Sequence, residues 1–123
     1  MNNQENGFVK GRVKSLKYAF KGLWLLVSTE HSIMVQTAIA ILIMIFGWWL
    51  DISATEWILQ ILAIGLVLVA ESLNTAIEKI CDFIHPDYNE RIGFIKDISA
   101  GAVTFAAITA IIIGLIIYLP KFL

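Results

Sequence analysis

The chain has 123 residues, 59% of them apolar and 15% charged, with a formal net charge of −1. Soluble domains run at about 45–50% apolar and about 25% charged, and one this short buries only around two-thirds of what its unfolded chain exposes. The surplus apolar surface has to face lipid or a partner subunit, which excludes disorder, a disulfide scaffold and a water-soluble enzyme.

Residues 8–29 predict an amphipathic helix. Val9, Val13, Leu16, Phe20, Leu23, Trp24 and Val27 recur at steps of three and four, and Lys10, Lys14, Lys17 and Lys21 recur likewise on a separate face. Such a helix lies on an anionic leaflet, either as a plain anchor or as a roof over a site reached from the bilayer surface. Twenty uncharged residues follow between Glu30 and Asp51, fourteen between Glu56 and Glu71, and twenty-three between Asp97 and Lys121. A spanning helix needs about 20 apolar residues, so three transmembrane helices are expected near residues 33–50, 57–80 and 98–119. The middle one reaches full length only by carrying Glu71, Asn74 and Glu78 in its lower half. A version with two spans and one buried soluble helix fails because no soluble domain remains to bury that helix. The fold class is thus all-α, an integral membrane bundle, and residues 1–123 form a single membrane domain.

Trp48, Trp49 and Trp57 flank the Asp51–Glu56 turn, and Tyr118 ends the last span, as rings do at a lipid–water boundary. Ser53 or Thr55 can cap the second span. His85-Pro86-Asp87-Tyr88 breaks it and opens a polar connection running to Lys96, where Lys96-Asp97 opens the third helix; Pro120 closes that helix. Basic residues cluster before the first span and between the second and third (Lys79, Arg91, Lys96), whereas the Asp51–Glu56 turn has none. The positive-inside bias therefore puts the amino terminus and the 81–97 connection in the cytoplasm and the carboxyl terminus outside. No cleavable signal is expected, because the first apolar run is too long and no small-residue cleavage site follows. Near-neutral charge gives no reason to expect nucleic acid as a partner. Cys81 is the sole cysteine and reads as a small helix filler.

Chemistry concentrates at Glu71-Ser72-Leu73-Asn74-Thr75-Ala76-Ile77-Glu78. Glu71, Asn74, Thr75, Glu78 and Asp82 share one helical face. A carboxylate deep in a spanning helix is costly and marks a site by default. Glu71 and Glu78 stand about 10 Å apart along the helix, too far to share one ion directly but suited to a base and a metal ligand around a bound phosphate. Oxygen ligands of this kind favour Mg²⁺, which keeps several waters and takes other ligands from substrate phosphates. Glu30 is a third carboxylate at the membrane surface. The plainer alternative has Glu78 pairing with Lys79 or Lys96. A lysine beside a helix start suits phosphate, and Ala102, Ala106, Ala110 and Gly114 repeat as a helix-packing ladder. No P-loop, protein-kinase signature or dinucleotide fingerprint occurs. A proton or ion pathway is opposed by the lack of ionisable residues deep in the first and third spans, and a purely structural oligomer leaves Glu71 unexplained.

With Glu71-x-x-Asn74-Thr75-Ala76-Ile77-Glu78-x-x-x-Asp82, Lys96-Asp97 and its small-residue run to Val103, Tyr18-Ala19-Phe20-Lys21-Gly22 and Glu30 in view, the chain resembles the prokaryotic diacylglycerol kinase family. These small membrane lipid kinases include the undecaprenol kinases. The resemblance implies a homotrimer with exchanged elements and active sites between subunits, ATP and Mg²⁺ entering from the cytoplasm and the lipid alcohol from the bilayer of a bacterial inner membrane. It implies Glu71 as general base, Asn74 as a second catalytic position, and Glu30 and Glu78 as metal-binding carboxylates. It also implies nucleotide contacts at Tyr18, Glu30, Glu78, Asp87, Tyr88, Asn89, Lys96 and Asp97, and lipid contacts at Lys14, Lys21, Trp24, Glu71 and Ala100. The expected reaction is ATP-dependent phosphorylation of a lipid primary hydroxyl, diacylglycerol first and undecaprenol as the alternative.

The chain departs from the family pattern at Asn89, where a His is frequent, and at Ser32, where an Asn is frequent. It also departs at Gln36, where proteobacterial members carry Glu, and at Arg12, displaced by two from the basic residue those members use near ATP. Thr55-Glu56-Trp57 and the ending from Gly114 to Lys121 look closer to the Gram-positive, undecaprenol-using branch.

Overall fold

The computed structural model describes residues 3–123 and builds them almost wholly from helices. In chain order these are α1 (Asn3–Thr29), α2 (His31–Trp49), α3 (Ala54–Ile84) and α4 (Glu90–Tyr118), closed by a 3-10 turn at Leu119–Lys121. Three of them are long and apolar enough to cross a membrane: His31–Trp49, Ala54–Ile84 and the segment Glu90–Lys121. The protein is an all-α integral membrane bundle.

Packing is led by α3 along α4, with α2 on α3 and α1 on α2. Small side chains stand at the crossings. Ala40, Ala63 and Ala106 are buried, joined by Ile33, Ile52, Cys81 and Ile117. Between helices in lipid there is no hydrophobic drive to associate, so close approach of backbones over small residues carries the contact. Of the alanine ladder on α4, Ala106 is buried, Ala110 and Gly114 are half-covered and Ala102 is exposed. Cys81 is buried as the filler expected from its type.

Each helix end has a local cause. Ser53 caps α3 with a full capping box: its hydroxyl accepts from the Glu56 N–H at 3.1 Å while the Glu56 carboxylate accepts from the Ser53 N–H at 3.0 Å. The α2–α3 turn needs one left-handed residue, supplied by Asp51 at φ 53°. Gly47 leaves room for the side chains that pack beside the turn. A Cβ there would stand 2.9 Å from both Ile52 Cδ1 and the Tyr118 hydroxyl.

Tyr118 ends α4, where the sequence places it. Its hydroxyl turns inward, donating to Gln60 Oε1 and lying 3.4 Å from the Ile43 carbonyl. Phe46 packs on it at 5.3 Å between ring centres. Burial of Gln60, which is only 4% exposed, is the reason: an amide in an apolar bundle draws the nearest hydroxyl to it.

The connection between α3 and α4 is shorter than the sequence suggested. It spans residues 85–89, and α4 begins at Glu90 rather than near residue 98. Asn89 is the cap, its side-chain oxygen accepting from the N–H groups of Arg91 at 2.9 Å and Ile92 at 3.3 Å. Apolar composition marks only the part of a helix inside hydrocarbon, so the polar extension of α4 was not visible to it. Lys96-Asp97 therefore lies nearly two turns inside α4, not at its start, so the free N–H groups of a helix start are not beside Lys96 to hold phosphate.

On α1 the expected apolar stripe stands open: Val9, Val13, Leu16, Phe20, Leu23 and Trp24 are each more than half exposed. None of the described residues covers that face, which suits a helix lying in a membrane interface.

Candidate active site

The carboxyl-terminal half of α3 carries the candidate site. Thr75 is buried and donates back to the Glu71 carbonyl at 3.0 Å, and Ser72 does the same to Leu68 at 2.7 Å. Both hydroxyls are satisfied within the helix, which leaves the carboxylates and the amide as the groups available for chemistry. Glu71 is half-buried, and its Oε2 is shut away from solvent with no hydrogen-bond partner. Asn74, one turn on, donates from Nδ2 to Glu78 Oε1 at 3.4 Å, while its own Oδ1 is also buried and unpartnered. Two orphaned acceptors side by side on one face are the defining feature. Buried acceptors are normally paired, so this face lacks a donor: a hydroxyl, a cation or a cation-bound water.

Lysines frame the face without neutralising it. Lys96 reaches from α4 to Asp82 at 2.6 Å, and Lys79 reaches to Glu30 at 3.2 Å. Neither pairs with Glu78, so the plainer reading of Glu78 as half of an ion pair does not hold. Glu30 is the single non-helical residue between α1 and α2, at φ −96° and ψ 114°, and its side chain does not cap α2. Its carboxylate is therefore free for Lys79.

Among the described residues no three His, Cys, Asp or Glu side chains converge into a ready-made metal cage. Mg²⁺ is ordinarily bound by one or two carboxylates together with substrate phosphates and water. The donor set at Glu30, Glu71, Asn74 and Glu78 is all oxygen, and two of those oxygens lack a partner. These residues fit a hard cation.

The other residues singled out from sequence fall in two groups. Asp87 and Tyr88 are exposed on the α3–α4 connection, where His85 Nδ1 meets the Asp87 carbonyl at 2.7 Å; Asp97 and Ala100 are exposed on α4. Asn89 is engaged as a helix cap. Tyr18, Lys14, Lys21 and Trp24 are exposed along α1, with the Lys14 ammonium 6.0 Å from the Tyr18 ring centre. Because α1 packs on α2, the chain by itself does not gather these four around Glu71. Sequence reasoning missed the Lys79–Glu30 pair, whose only signal was a basic residue directly after Glu78. It also missed Gln60, an isolated amide in a span.

Two apolar spaces lie between the helices, and one of them reaches the face. One of about 440 Å³ lies between α3 and α4 and includes Asn74, Leu73, Ile77, Ala102, Phe105 and Ala106 in its lining. A second of about 510 Å³ lies between α2, α3 and α4, running from Gln36 and Leu68 to Gln60 and Tyr118. The first opens a hydrocarbon-lined route to Asn74, one turn from Glu71.

The family profile described as prokaryotic diacylglycerol kinase matches residues 17–118. The chain belongs to that family. Undecaprenol kinase of Bacillus subtilis (strain 168) is 38% identical over 108 residues, covering 88% of each chain. Diacylglycerol kinase of Escherichia coli (strain K12) is 34% identical over 112 residues, covering 91% of each. A longer relative, diacylglycerol kinase of a Synechocystis species, is 32% identical over 110 residues, which are 89% of this chain and 63% of that one. As a prokaryotic diacylglycerol kinase family member, the protein is a membrane lipid kinase that uses ATP as phosphoryl donor. The matched span takes in every candidate site residue except Lys14.

Proposed function

We propose that the protein phosphorylates the primary hydroxyl of a membrane lipid alcohol, with Glu71 as general base. The observation that carries this reading is the pair of buried, unpartnered acceptors at Glu71 Oε2 and Asn74 Oδ1. A lipid hydroxyl supplies the missing donor. Glu71 accepts its proton as the oxygen attacks the γ-phosphorus, the bond from that phosphorus to the β,γ-bridging oxygen breaks and ADP leaves, and Asn74 holds the geometry through its bond to Glu78. Phosphoryl transfer asks little covalent help of a protein, so positioning and charge control carry the rate. Glu30 and Glu78 would hold Mg²⁺, which when bound with the nucleotide neutralises phosphate charge. Lys96, kept by Asp82 near the cytoplasmic end of the site, together with Asp97, Asp87 to Asn89 and Tyr18, would line the nucleotide.

A site shared between copies in a homotrimer is supported by the distance of the α1 residues from Glu71 along the chain's own packing, and by the uncovered apolar face of α1. The clustering of basic residues on α1 and on the ends of α3 and α4 that flank their connection (Lys79, Arg91, Lys96) supports a cytoplasmic active site in a bacterial inner membrane, with the carboxyl terminus outside.

Two lipid alcohols are in view. Sequence reasoning puts diacylglycerol first. The fuller identity to the Bacillus subtilis undecaprenol kinase, Gln36, and the ion pair that joins the two Gram-positive-like segments (Lys121 to Glu56, 3.3 Å) favour undecaprenol. The test is incubation of the purified protein with γ-labelled ATP, Mg²⁺ and mixed micelles carrying undecaprenol or diacylglycerol. Label in a lipid phosphate is expected, with faster transfer to undecaprenol; no labelled lipid from either alcohol would reject the reading.

A further inference from the structure

The Glu30–Lys79 pair is lopsided. The Glu30 side chain is 23% exposed and the Lys79 side chain 66% exposed, with 3.2 Å between Oε1 and Nζ. A sheltered anion is thus matched by a cation on a flexible stem that is mostly uncovered by the rest of the chain, and a pair this exposed is readily exchanged. Lys79 directly follows Glu78, so it flanks the face that carries Glu71, Asn74 and Glu78 about 100° around the helix. Lys96, the other lysine at this end, is held at 2.6 Å by Asp82.

We propose that Lys79 is the exchangeable counter-ion of Glu30: it holds the carboxylate in the nucleotide-free enzyme and turns onto the polyphosphate of the nucleotide when a divalent cation takes its place on Glu30. The proposal rests on Glu30 being a metal-binding carboxylate. Its physical logic is continuity of charge. A half-sheltered carboxylate left without a cation is costly, and the exchange never leaves Glu30 alone. The lysine it releases meets the one strongly anionic group that arrives with the metal, at a site otherwise rich in carboxylates. Lys79 is then a nucleotide-binding residue and, before binding, a competitor of the metal.

The test uses the full-length protein in detergent micelles, with Lys79→Met to remove the charge on a similar stem and Lys79→Arg to keep it. Mn²⁺ binding without nucleotide is followed by electron paramagnetic resonance of the free ion, alongside KM for ATP, kcat and thermal unfolding. Lys79→Met should bind Mn²⁺ several-fold more tightly, because its competitor is gone. It should also raise KM for ATP roughly tenfold with kcat within about twofold, the scale of one charge-assisted contact. Lys79→Arg should restore the KM. Unchanged or weaker Mn²⁺ binding by Lys79→Met overturns the proposal, as does an unchanged KM. A lysine that merely clamps the α1–α2 junction would lower the melting temperature and kcat without tightening Mn²⁺, which also overturns it. Glu30→Gln separates the two layers. If Glu30→Gln binds Mn²⁺ as the unmodified protein does, the metal role of Glu30 fails. If it binds weakly while Lys79→Met gains nothing, the exchange alone fails.

Discussion

Replacing Glu71 by Gln separates what the buried carboxylate does for catalysis from what it costs the fold. The substitution is isosteric, so packing against α4 is unchanged. In the native protein Glu71 Oε2 and Asn74 Oδ1 are both buried acceptors without donors, an arrangement that disfavours the charged side chain in an apolar bundle. The new amide is neutral and brings an N–H into a cluster that has acceptors to spare. Apparent melting temperature in detergent should therefore hold or rise. Catalysis should collapse, because the amide cannot take the proton of the lipid hydroxyl. General-base removal typically costs 10²–10⁴-fold, or about 2.7–5.5 kcal/mol of barrier. The assay is initial-rate transfer of label from γ-labelled ATP to lipid in mixed micelles, paired with thermal unfolding of the same preparation. Retention of more than about a tenth of the rate would reject Glu71 as the base, since it lies outside the range such groups contribute. A marked loss of stability with lost activity would also refute the reasoning, because the carboxylate would then be a structural element.

Glu78→Gln and Glu30→Gln should shift the Mg²⁺ dependence, with higher Mg²⁺ recovering part of the rate, whereas Glu71→Gln should show no such recovery, as extra metal cannot replace a base. Rate against Mg²⁺ at saturating ATP checks this; three curves that share the unmodified midpoint and differ only in height would remove both metal assignments. Gly47→Ala should destabilise the protein by roughly 1–3 kcal/mol, since the added methyl would stand 2.9 Å from Ile52 Cδ1 and the Tyr118 hydroxyl and overpack the turn. A melting temperature equal to or above that of the unmodified protein would show that the α2–α3–α4 junction yields freely. Tyr118→Phe removes the donor to Gln60 Oε1 and leaves a buried amide short of partners, a loss of about 0.6–2 kcal/mol on the scale of hydrogen bonds between membrane helices. It should leave KM for ATP unchanged, since Tyr118 closes α4 at the end opposite to the residues proposed to line the nucleotide; a KM that rises with the substitution would contradict that separation.

Much of the protein was legible before folding because the bilayer is a strict solvent. It demands helices, sets their length and taxes every charge within them, so uncharged stretches reported three spans and Glu71 marked a candidate site. The 3.6-residue period put Glu71, Asn74 and Glu78 on one face, and the local chemistry of Ser53 and Pro86 marked helix ends. These are near-neighbour effects, written in adjacent residues. What sequence could not decide was partnership between distant charges and polar groups. Asn89 carried a nucleotide role by resemblance, yet its side chain caps α4, and α4 begins a full two turns before the apolar run because a polar helix end is invisible to hydropathy. Lys79 could have met Glu78, its neighbour; it meets Glu30 instead, because α2 packs on α3 and brings the α1–α2 break to that side. Gln60 and Tyr118 find each other across 58 residues of chain. An ion pair or buried amide takes whatever partner packing delivers within about 3–4 Å, and that choice belongs to the tertiary structure alone.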